Sequence, residues 1–308
     1  TLSDGKEYPM LDTEFPTIDW KHPYELTAGE RDVIERMETA FRNCEKLQKH
    51  MRLLLDKGGL YKIYNGNLLF HGCIPLNEDG SLKEIQIYGK KYKGRELYDV
   101  LETYVRRAFF AVDSMEQRKG MDILWFIWAS PSSPLFGKDK MTTFERYFIA
   151  DKETHKETKG AYYHLLENEE VVDTLLQEFD LSPENGHIIN GHVPVHQGEG
   201  ESPVKCNGKV IVIDGGFCKA YQKVTGIAGY TLIYNSYGLI LSAHEPFTSK
   251  EDAVSKESDI VSNRVSVHYT SKRRLVGDTD TGKALRERIE ELMQLLDAYR
   301  KGYIKEKK

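Results

Sequence analysis

Long apolar runs are missing from this sequence. The most apolar stretch, residues 123–129 (ILWFIWA), is far shorter than the ~20 residues that a membrane-spanning helix needs. The sequence therefore predicts no contact with a membrane. Cysteine is also scarce, because the chain has only four and none of them forms a CxxC pair. That pattern argues against a disulfide framework or a structural zinc site, and it predicts free thiols in a reducing cytoplasm.

An excess of positive charge is missing as well. The chain has 43 lysines and arginines against 48 aspartates and glutamates, which gives a formal net charge of −5. A mildly acidic chain is a poor candidate for non-specific binding to nucleic acid. Apolar residues make up 40% of the 308 residues, so the chain can bury a substantial core in one large domain or two ordinary ones.

The first sixty residues are predicted to form extended coil followed by a long helix. Thr27 and Glu30 have the spacing of a capping box, which predicts that a helix begins there. Apolar residues then recur at helical spacing as far as Leu55, and Gly58 and Gly59 follow. A helix of about 28 residues is longer than most globular helices, so we expect it to be bent or split.

Two of the predicted strands end in a histidine. Residues 60–64 and 67–71 flank Asn65 and Gly66, a strong hairpin signal, and the second strand ends at His71. Residues 188–190 form another strand, which runs into Gly191 and His192. In α/β proteins metals and ligands bind at such strand ends, and neutral imidazole is a common metal ligand. His71 and His192 are therefore the best metal-ligand candidates, although a structural histidine beside a turn is the alternative for each.

The remaining pattern predicts a mixture of helices and strands. In chain order it predicts a strand over 84–88, a helix over 95–115, a buried strand over 123–129, a helix over 168–179, a strand over 210–214, a loop over 218–225, a hairpin over 230–243, a strand around 261–267 and a last helix with an apolar face from Leu285 to Tyr299. Residues 277–283 match neither a P-loop nor a calcium loop, and they predict the first turn of that last helix with an acidic cap.

Three cations follow the apolar stretch over 123–129. Lys138, Lys140 and Arg146 lie close to Gly137, just past the predicted strand end, where they could hold a phosphate group. The alternative is that they are solvated charges on a connecting segment.

Two histidines do not complete a hydrolytic metal centre. Such a centre uses three or four ligands for each ion, and two-metal centres add carboxylates that offset the charge of the ions. The sequence contains no Asp-x-His motif and no cluster of aspartates that could supply them.

Four sequence strings carry a resemblance to a known family. They are residues 70–75 (FHGCIP), 133–148 (SPLFGKDKMTTFERYF), 189–194 (INGHVP) and 214–217 (DGGF). With these strings the whole chain is similar to the C-terminal half of class III (firmicute-type) fructose-1,6-bisphosphatase, in the calcineurin-like metallophosphatase superfamily. The resemblance implies an α/β fold, namely half of a metallophosphatase-type β-sandwich with mixed sheets flanked by helices. The complete protein would have four layers, α/β/β/α. It also suggests three segments: 1–60 as coil and long helix, 61–250 as the half-domain, and 251–308 as a terminal strand and helix.

The resemblance implies a hydrolase of gluconeogenesis. Its reaction removes the 1-phosphate of fructose 1,6-bisphosphate at a two-metal centre, with Mn²⁺ as the expected metal, and leaves fructose 6-phosphate and phosphate. Two metals polarise the phosphate oxygens and activate water for in-line attack. The catalytic residues and the remaining ligands are expected in an N-terminal half that this sequence lacks, so the chain alone is expected to be inactive. His71 and His192 would share one ion.

Other roles follow from the same resemblance. The 6-phosphate needs cationic partners, for which Lys138, Lys140, Arg146, Lys219 and Tyr221 are the candidates. Asp214 is either a partner that orients a ligand histidine or a structural turn residue. The expected partners are the sugar bisphosphate, the N-terminal half and a second copy in a homo-oligomer, with no nucleic acid. Two alternatives remain open: a metallophosphatase for another phosphoester, and a non-catalytic module.

Overall fold

The computed structural model describes residues 1–214, 218–247, 249–257 and 262–305. Its helices are α1 (Ala28–Asn43), α2 (Glu45–Lys57), α3 (Gly94–Phe110), α4 (Ser114–Ala129), α5 (Thr143–Phe148), α6 (Tyr162–Leu165), α7 (Glu169–Glu178), α8 (Lys219–Thr225), α9 (Lys250–Ser255) and α10 (Asp280–Arg300). Its strands are β1 (Tyr61–Tyr64), β2 (Asn67–Phe70), β3 (Ile85–Ile87), β4 (Lys90–Tyr92), β5 (His187–Asn190), β6 (Val204–Lys205), β7 (Val210–Val212), β8 (Gly229–Asn235), β9 (Gly238–His244) and β10 (Ser262–Tyr269).

The chain forms two compact units. The first contains Thr1–Leu60 and Leu82–Ala161, and the second contains Tyr61–Ser81 and Tyr162–Lys308. The three segments suggested by the sequence stay a prediction. Both units combine helices with strands, and the larger sheet has parallel and antiparallel pairs, so the chain has a mixed α/β fold.

The first unit begins with the predicted capping box. The side chain of Thr27 accepts a hydrogen bond from the N–H of Glu30, and the carboxylate of Glu30 accepts one from the N–H of Thr27. The long helix is split, because Cys44 has an extended conformation between α1 and α2. Gly58 ends α2 as predicted, and its N–H donates to the carbonyl of Leu54 at 2.8 Å.

The core of the first unit lies around α3, α4 and the hairpin of β3 and β4. Its buried residues are Ile85, Ile87, Leu97, Leu101, Ile123 and Ile127. Gly120 lets α4 approach α3 closely, since a Cβ atom on it would lie 2.6 Å from the Cα of Ala108. The helix predicted over 95–115 ends earlier, at Phe110, and Ala111 caps it.

The prediction of a buried strand over 123–129 is wrong, because these residues form the second half of α4. Asp113 caps this helix through the N–H of Glu116, and Ile123 and Ile127 point into the core one turn apart. Trp125 and Trp128 are exposed. A short apolar run can be a strand or a helix. When aromatic residues also occupy the solvent-exposed face, the 3.6-residue spacing of the buried residues cannot be recognised in the sequence.

The second unit contains a five-stranded sheet in the order β1-β2-β5-β7-β6. Strands β1 and β2 form the predicted hairpin, in which Asn65 and Gly66 both have positive φ, as a two-residue turn of this kind requires. Strand β2 pairs with β5, and β5 with β7, in parallel. Residues Ile188, Val210 and Ile211 are fully buried, which agrees with a parallel sheet covered on both faces.

A three-stranded antiparallel sheet, in the order β10-β9-β8, follows in the second unit. It includes the predicted hairpin of β8 and β9. The loop predicted over 218–225 is wrong, because residues 219–225 form α8 and Gly226 ends it with positive φ. Val261, where a strand was predicted to begin, and residues 215–217 of the DGGF string lie outside the described residues.

The last helix, α10, begins as the sequence predicts. Thr279 caps it through the N–H of Gly282, and Asp280 binds the turn between β1 and β2. The N–H of Asn65 donates to the carboxylate of Asp280 at 2.7 Å, and the N–H of Asp280 donates to the side-chain oxygen of Asn65 at 3.0 Å. None of the helices within the described ranges is both long and apolar enough for a bilayer crossing.

Candidate metal centre

Three parallel strands of the second unit deliver polar side chains to one edge of their sheet. His71 follows β2 directly, His192 lies two residues after β5, and Asp214 lies two residues after β7. Because β2, β5 and β7 run in the same direction, their carboxyl ends meet at this edge. The prediction that both histidines lie at strand ends is confirmed.

The two imidazoles lie side by side. Nδ1 of His192 is 3.2 Å from Nε2 of His71, and the ring centroids are 5.1 Å apart at an interplanar angle of 79°. Two imidazole nitrogens that each lie about 2.1 Å from one ion are about 3.0–3.4 Å apart at ligand angles of about 90–109°. The observed separation therefore fits two ligands of a single ion.

His192 has an unusual backbone conformation. Its φ is +69°, a left-handed value that is uncommon for a residue with a side chain. The N–H of Val193 donates to the carbonyl of Gly191 at 2.8 Å, which closes a three-residue γ-turn with His192 at its centre. Such strain clusters at sites that bind ligands, because there the position of the side chain matters more than the cost of about 1–3 kcal/mol.

Gly191 leaves space between the two neighbouring strand ends. A Cβ atom placed on Gly191 would lie 3.6 Å from the Cβ of Asp214, 3.8 Å from its Oδ2 and 3.8 Å from Nδ1 of His71. The two nitrogens of the His71 ring thus face different neighbours. Nε2 is near His192, and Nδ1 is beside the space that Asp214 borders.

The fit to a metal ion is partial. Among the residues that the structure describes, no group of three or more histidine, cysteine, aspartate or glutamate side chains could hold a metal. Cys73, close to His71 in sequence, is buried, and that burial raises the pKa of its thiol to about 12 despite a hydrogen bond with Tyr163. The thiol of Cys73 is therefore neutral at pH 7. The pair formed by His71 and His192 supplies two of the three or four ligands that a hydrolytic centre uses.

Comparison with known proteins decides the family. The family model described as firmicute fructose-1,6-bisphosphatase matches residues 1–301. The chain belongs to this family. A protein of Clostridioides difficile (strain 630) named fructose-1,6-bisphosphatase class 3 is 57% identical over 303 residues, which cover 98% of this chain and 46% of the relative. Proteins with the same name from Clostridium botulinum (strain Loch Maree / Type A3) and Clostridium tetani (strain Massachusetts / E88) are each 54% identical. Each alignment covers 98% of this chain. It covers 45% of the Clostridium botulinum protein and 46% of the Clostridium tetani protein.

The chain thus spans about half the length of the curated relatives that it matches in the fructose-1,6-bisphosphatase family. No solved structure matches it significantly. The fold described above therefore has no experimental counterpart among these comparisons.

Three of the cations that were predicted to bind phosphate lie together in the first unit. Nζ of Lys138 is 2.7 Å from Oε2 of Glu157, and Nζ of Lys140 donates to the carbonyl of Thr154 at 3.4 Å. Arg146 donates to Oγ1 of Thr142 at 3.0 Å and to the carbonyl of His155 at 3.1 Å. All three cations bind residues between 142 and 157, and their role in phosphate binding stays a prediction.

Glu157 is the carboxylate that Lys138 and Thr142 bind, and no pattern in the sequence indicates it. Burial alone would raise the pKa of its carboxyl group. The hydrogen bonds from Lys138 and from the backbone and side chain of Thr142 outweigh that effect and lower the pKa to about 2. The carboxylate therefore stays charged at neutral pH.

Lys219 and Tyr221 lie in the second unit, on α8, and both are exposed. No described contact joins either side chain to His71 or His192. Their predicted role in phosphate binding also stays a prediction.

Asn190 is a residue of this edge that the sequence interpretation overlooked. It ends β5, is 2% exposed and directly precedes Gly191. Its Nδ2 donates to the carbonyl of Gly72 at 3.4 Å. A signal was present, because an amide is out of place at the end of a strand that is otherwise buried and apolar.

Proposed function

We propose that this chain is the C-terminal half of a class 3 fructose-1,6-bisphosphatase. With an N-terminal half it would hydrolyse the 1-phosphate of fructose 1,6-bisphosphate to give fructose 6-phosphate and phosphate in gluconeogenesis. Membership of the family and the printed name of its relatives support the substrate. The observation that carries the proposal is the 3.2 Å separation of His71 and His192 at the carboxyl edge of a parallel sheet.

In this proposal His71 and His192 hold one Mn²⁺ ion, through Nε2 and Nδ1 respectively. The chemistry that the metal supplies when bound is Lewis-acid polarisation of the phosphate oxygens and activation of water. A neutral His71 that binds through Nε2 carries its proton on Nδ1. That proton faces the space bordered by Asp214, whose carboxylate is a suitable acceptor and would orient the ring.

The number of ligands supports a site shared with the other half. Two imidazoles are neutral and leave the charge of the ion uncompensated, so carboxylates must come from elsewhere. The relatives are about twice as long as this chain and have room for them. We infer that the complete protein is a metallophosphatase-type β-sandwich with four layers, and that the five-stranded sheet of the second unit belongs to it.

The second phosphate of the substrate needs a separate cationic site. In the first unit we propose Lys138, Lys140 and Arg146 for it. In the second unit the residues that we propose for it are Lys219 and Tyr221 on α8. We further propose that the enzyme is cytoplasmic and that it forms a homo-oligomer.

The test uses the family-length protein that contains this sequence. Phosphate release in Mn²⁺ is measured with fructose 1,6-bisphosphate, a phosphopeptide and a nucleotide, for the wild type, H71A and H192A. His164→Ala is the matched control, because His164 is an exposed histidine of the same unit that pairs with Glu78. We expect turnover of the sugar bisphosphate, its loss in H71A and H192A, and normal turnover in H164A.

Two results would contradict the proposal. Faster release from the phosphopeptide or the nucleotide would assign the site to another phosphoester. Unchanged turnover and metal content in both H71A and H192A would favour a non-catalytic module.

A further inference from the structure

We propose that Asn190 is a positioning residue that sets the separation of His71 and His192. The inference rests on the proposed role of these two histidines as ligands of one metal ion. It concerns a side chain that touches neither imidazole in a described hydrogen bond and that acts through the backbone that follows His71.

Asn190 connects the segments that follow the three parallel strands. Its Nδ2 donates to the carbonyl of Gly72, the residue after His71. Its own carbonyl accepts a hydrogen bond from the N–H of Ile213 at 2.9 Å, one residue before Asp214. Gly191 and His192 follow it directly in the chain. The side chain of Asn190 thus binds the residue that follows His71, and its backbone binds the residue that precedes Asp214.

Stability alone does not account for an amide at this position. Asn190 is 2% exposed, and its side-chain oxygen has no hydrogen-bond partner among the residues that the structure describes. A buried polar group without a partner destabilises the folded state. Leucine has a similar shape and would avoid this cost, so the useful property of Asn190 is the hydrogen bond that its Nδ2 donates.

That hydrogen bond has a defined geometric effect. The N–H of Gly191 already holds the carbonyl of His71 at 2.9 Å, and Asn190 holds the next carbonyl, that of Gly72. Two consecutive carbonyls are thereby fixed against the end of β5. Two ligands of one ion must be held to within about 0.5 Å. The hydrogen bond from Asn190 adds to the backbone bonds that join β2 and β5. Without the Nδ2 donor, the peptide between Gly72 and Cys73 loses this hydrogen bond, and the segment after His71 is held by one bond fewer.

The experiment measures Cu²⁺ binding to this chain by electron paramagnetic resonance. The chain has ten histidines, so the spectrum of the H71A/H192A double variant is subtracted to remove binding at other sites. For the wild type we expect superhyperfine splitting from two imidazole nitrogens. For N190L we expect the splitting of one nitrogen and an affinity that is lower by about 10–100-fold, the usual effect of losing a residue that orients a ligand.

Asn67→Leu is the matched control. Asn67 is also buried in this sheet with an unpartnered side-chain oxygen, but its Nδ2 binds the carbonyls of Tyr64 and Asn65 at the opposite end of β2. We expect N67L to unfold at a lower urea concentration and to keep the two-nitrogen spectrum. We expect N190L to unfold at an equal or higher urea concentration and to lose it.

The outcomes separate the two proposals. If the wild type and the double variant give the same spectrum, the histidine pair holds no metal, and both the metal site and the role of Asn190 are overturned. If the wild type shows two nitrogens and N190L shows them as well, only the role of Asn190 is overturned. A loss of stability in N190L greater than in N67L would make Asn190 a structural residue and would also overturn the inference.

Discussion

The N–H of Gly191 donates a hydrogen bond to the carbonyl of His71 at 2.9 Å. This bond extends the parallel pairing of β2 and β5 past the last residue of each strand, so the two chain segments stay together where the histidines begin. As a result, imidazoles that are 121 residues apart in sequence have nitrogens only 3.2 Å apart. The main chain therefore brings the two candidate ligands together before any metal is bound.

The left-handed conformation of His192 leads to a first prediction. We expect H192G to be more stable than H192A by about 1 kcal/mol, because glycine adopts a positive φ without the strain that a Cβ atom causes. At positions with a negative φ the alanine variant is the more stable one. Urea unfolding of the two variants measures the difference.

A control for this prediction is the same pair of substitutions at His164. This residue is not one of the described non-glycine residues with a positive φ. There alanine should be the more stable variant. If H192A is as stable as H192G, the γ-turn does not strain residue 192.

The strand-end histidines could be predicted because the signals for them are local. Asn65 and Gly66 specify a hairpin turn, and Gly191 and Pro194 mark the end of a short apolar strand. Strands β2 and β5 are short and buried, so a run of a few apolar residues is enough to predict each of them. The same local reasoning correctly predicted the capping box of α1 and the place where α10 begins, although Thr279 and not an acidic residue caps α10.

Other features depend on contacts that a local pattern does not contain. The 3.2 Å separation of the imidazoles depends on the pairing of strands far apart in sequence. Nothing in the residue type of His192 indicates a positive φ, because that value comes from the turn around it. The apolar run in α4 was mistaken for a strand since Trp125 and Trp128 face solvent, which conceals its helical period.

The second prediction tests the close approach of α3 and α4. We expect G120A to lower the free energy of unfolding by about 1–3 kcal/mol or more, as overpacking does. The added Cβ would lie 2.6 Å from both the Cα of Ala108 and the carbonyl oxygen of Tyr104. Backbone atoms cannot move aside as a flexible side chain can.

Gly29→Ala is the matched control for G120A, because it is also a glycine within a helix and no atom lies within 4 Å of its added Cβ. We expect G29A to raise stability by about 0.5–1 kcal/mol through helix propensity. Chemical denaturation of both variants is the measurement, and a neutral G120A would contradict the packing of α4 against α3.

The third prediction concerns Glu157. Burial alone would raise the pKa of this carboxyl group, but the hydrogen bonds from Lys138 and Thr142 lower it from 4.5 to about 2. A group with a lowered pKa in the folded state stabilises the fold above its unfolded pKa, and this stabilisation is lost as the pH falls from 4.5 towards 2. We therefore expect E157Q to unfold at a lower temperature than the wild type at pH 7, with a difference that narrows below pH 4.5.

Glu153→Gln provides the control for E157Q. Glu153 also pairs with a lysine, Lys156, at 2.6 Å, but both side chains are exposed. Exposed pairs contribute about 0–1 kcal/mol, so E153Q should differ little from the wild type at any pH. A constant difference between E157Q and the wild type from pH 7 to pH 2.5 would show that the charge of Glu157 does not stabilise its loop.

The fourth prediction concerns His187, the first residue of β5. Its burial, together with the fields of His268 and Arg274, lowers the pKa of the imidazole from 6.5 to about 4. The His268 ring packs against it, with centroids 5.0 Å apart. The fold therefore favours neutral His187, whereas the unfolded chain takes up a proton below pH 6.5. The free energy of unfolding is therefore unaffected by this group above pH 6.5, and it decreases as the pH falls from 6.5 towards 4.

His187→Phe removes this titration and keeps an aromatic ring against His268. Relative to the wild type, H187F should gain stability as the pH falls from 6.5 to 4, with a slope of at most about 1.4 kcal/mol per pH unit, the value for one proton. Urea unfolding at a series of pH values measures the slope. Parallel curves for H187F and the wild type over this range would mean that His187 is protonated as easily in the folded chain as in the unfolded one.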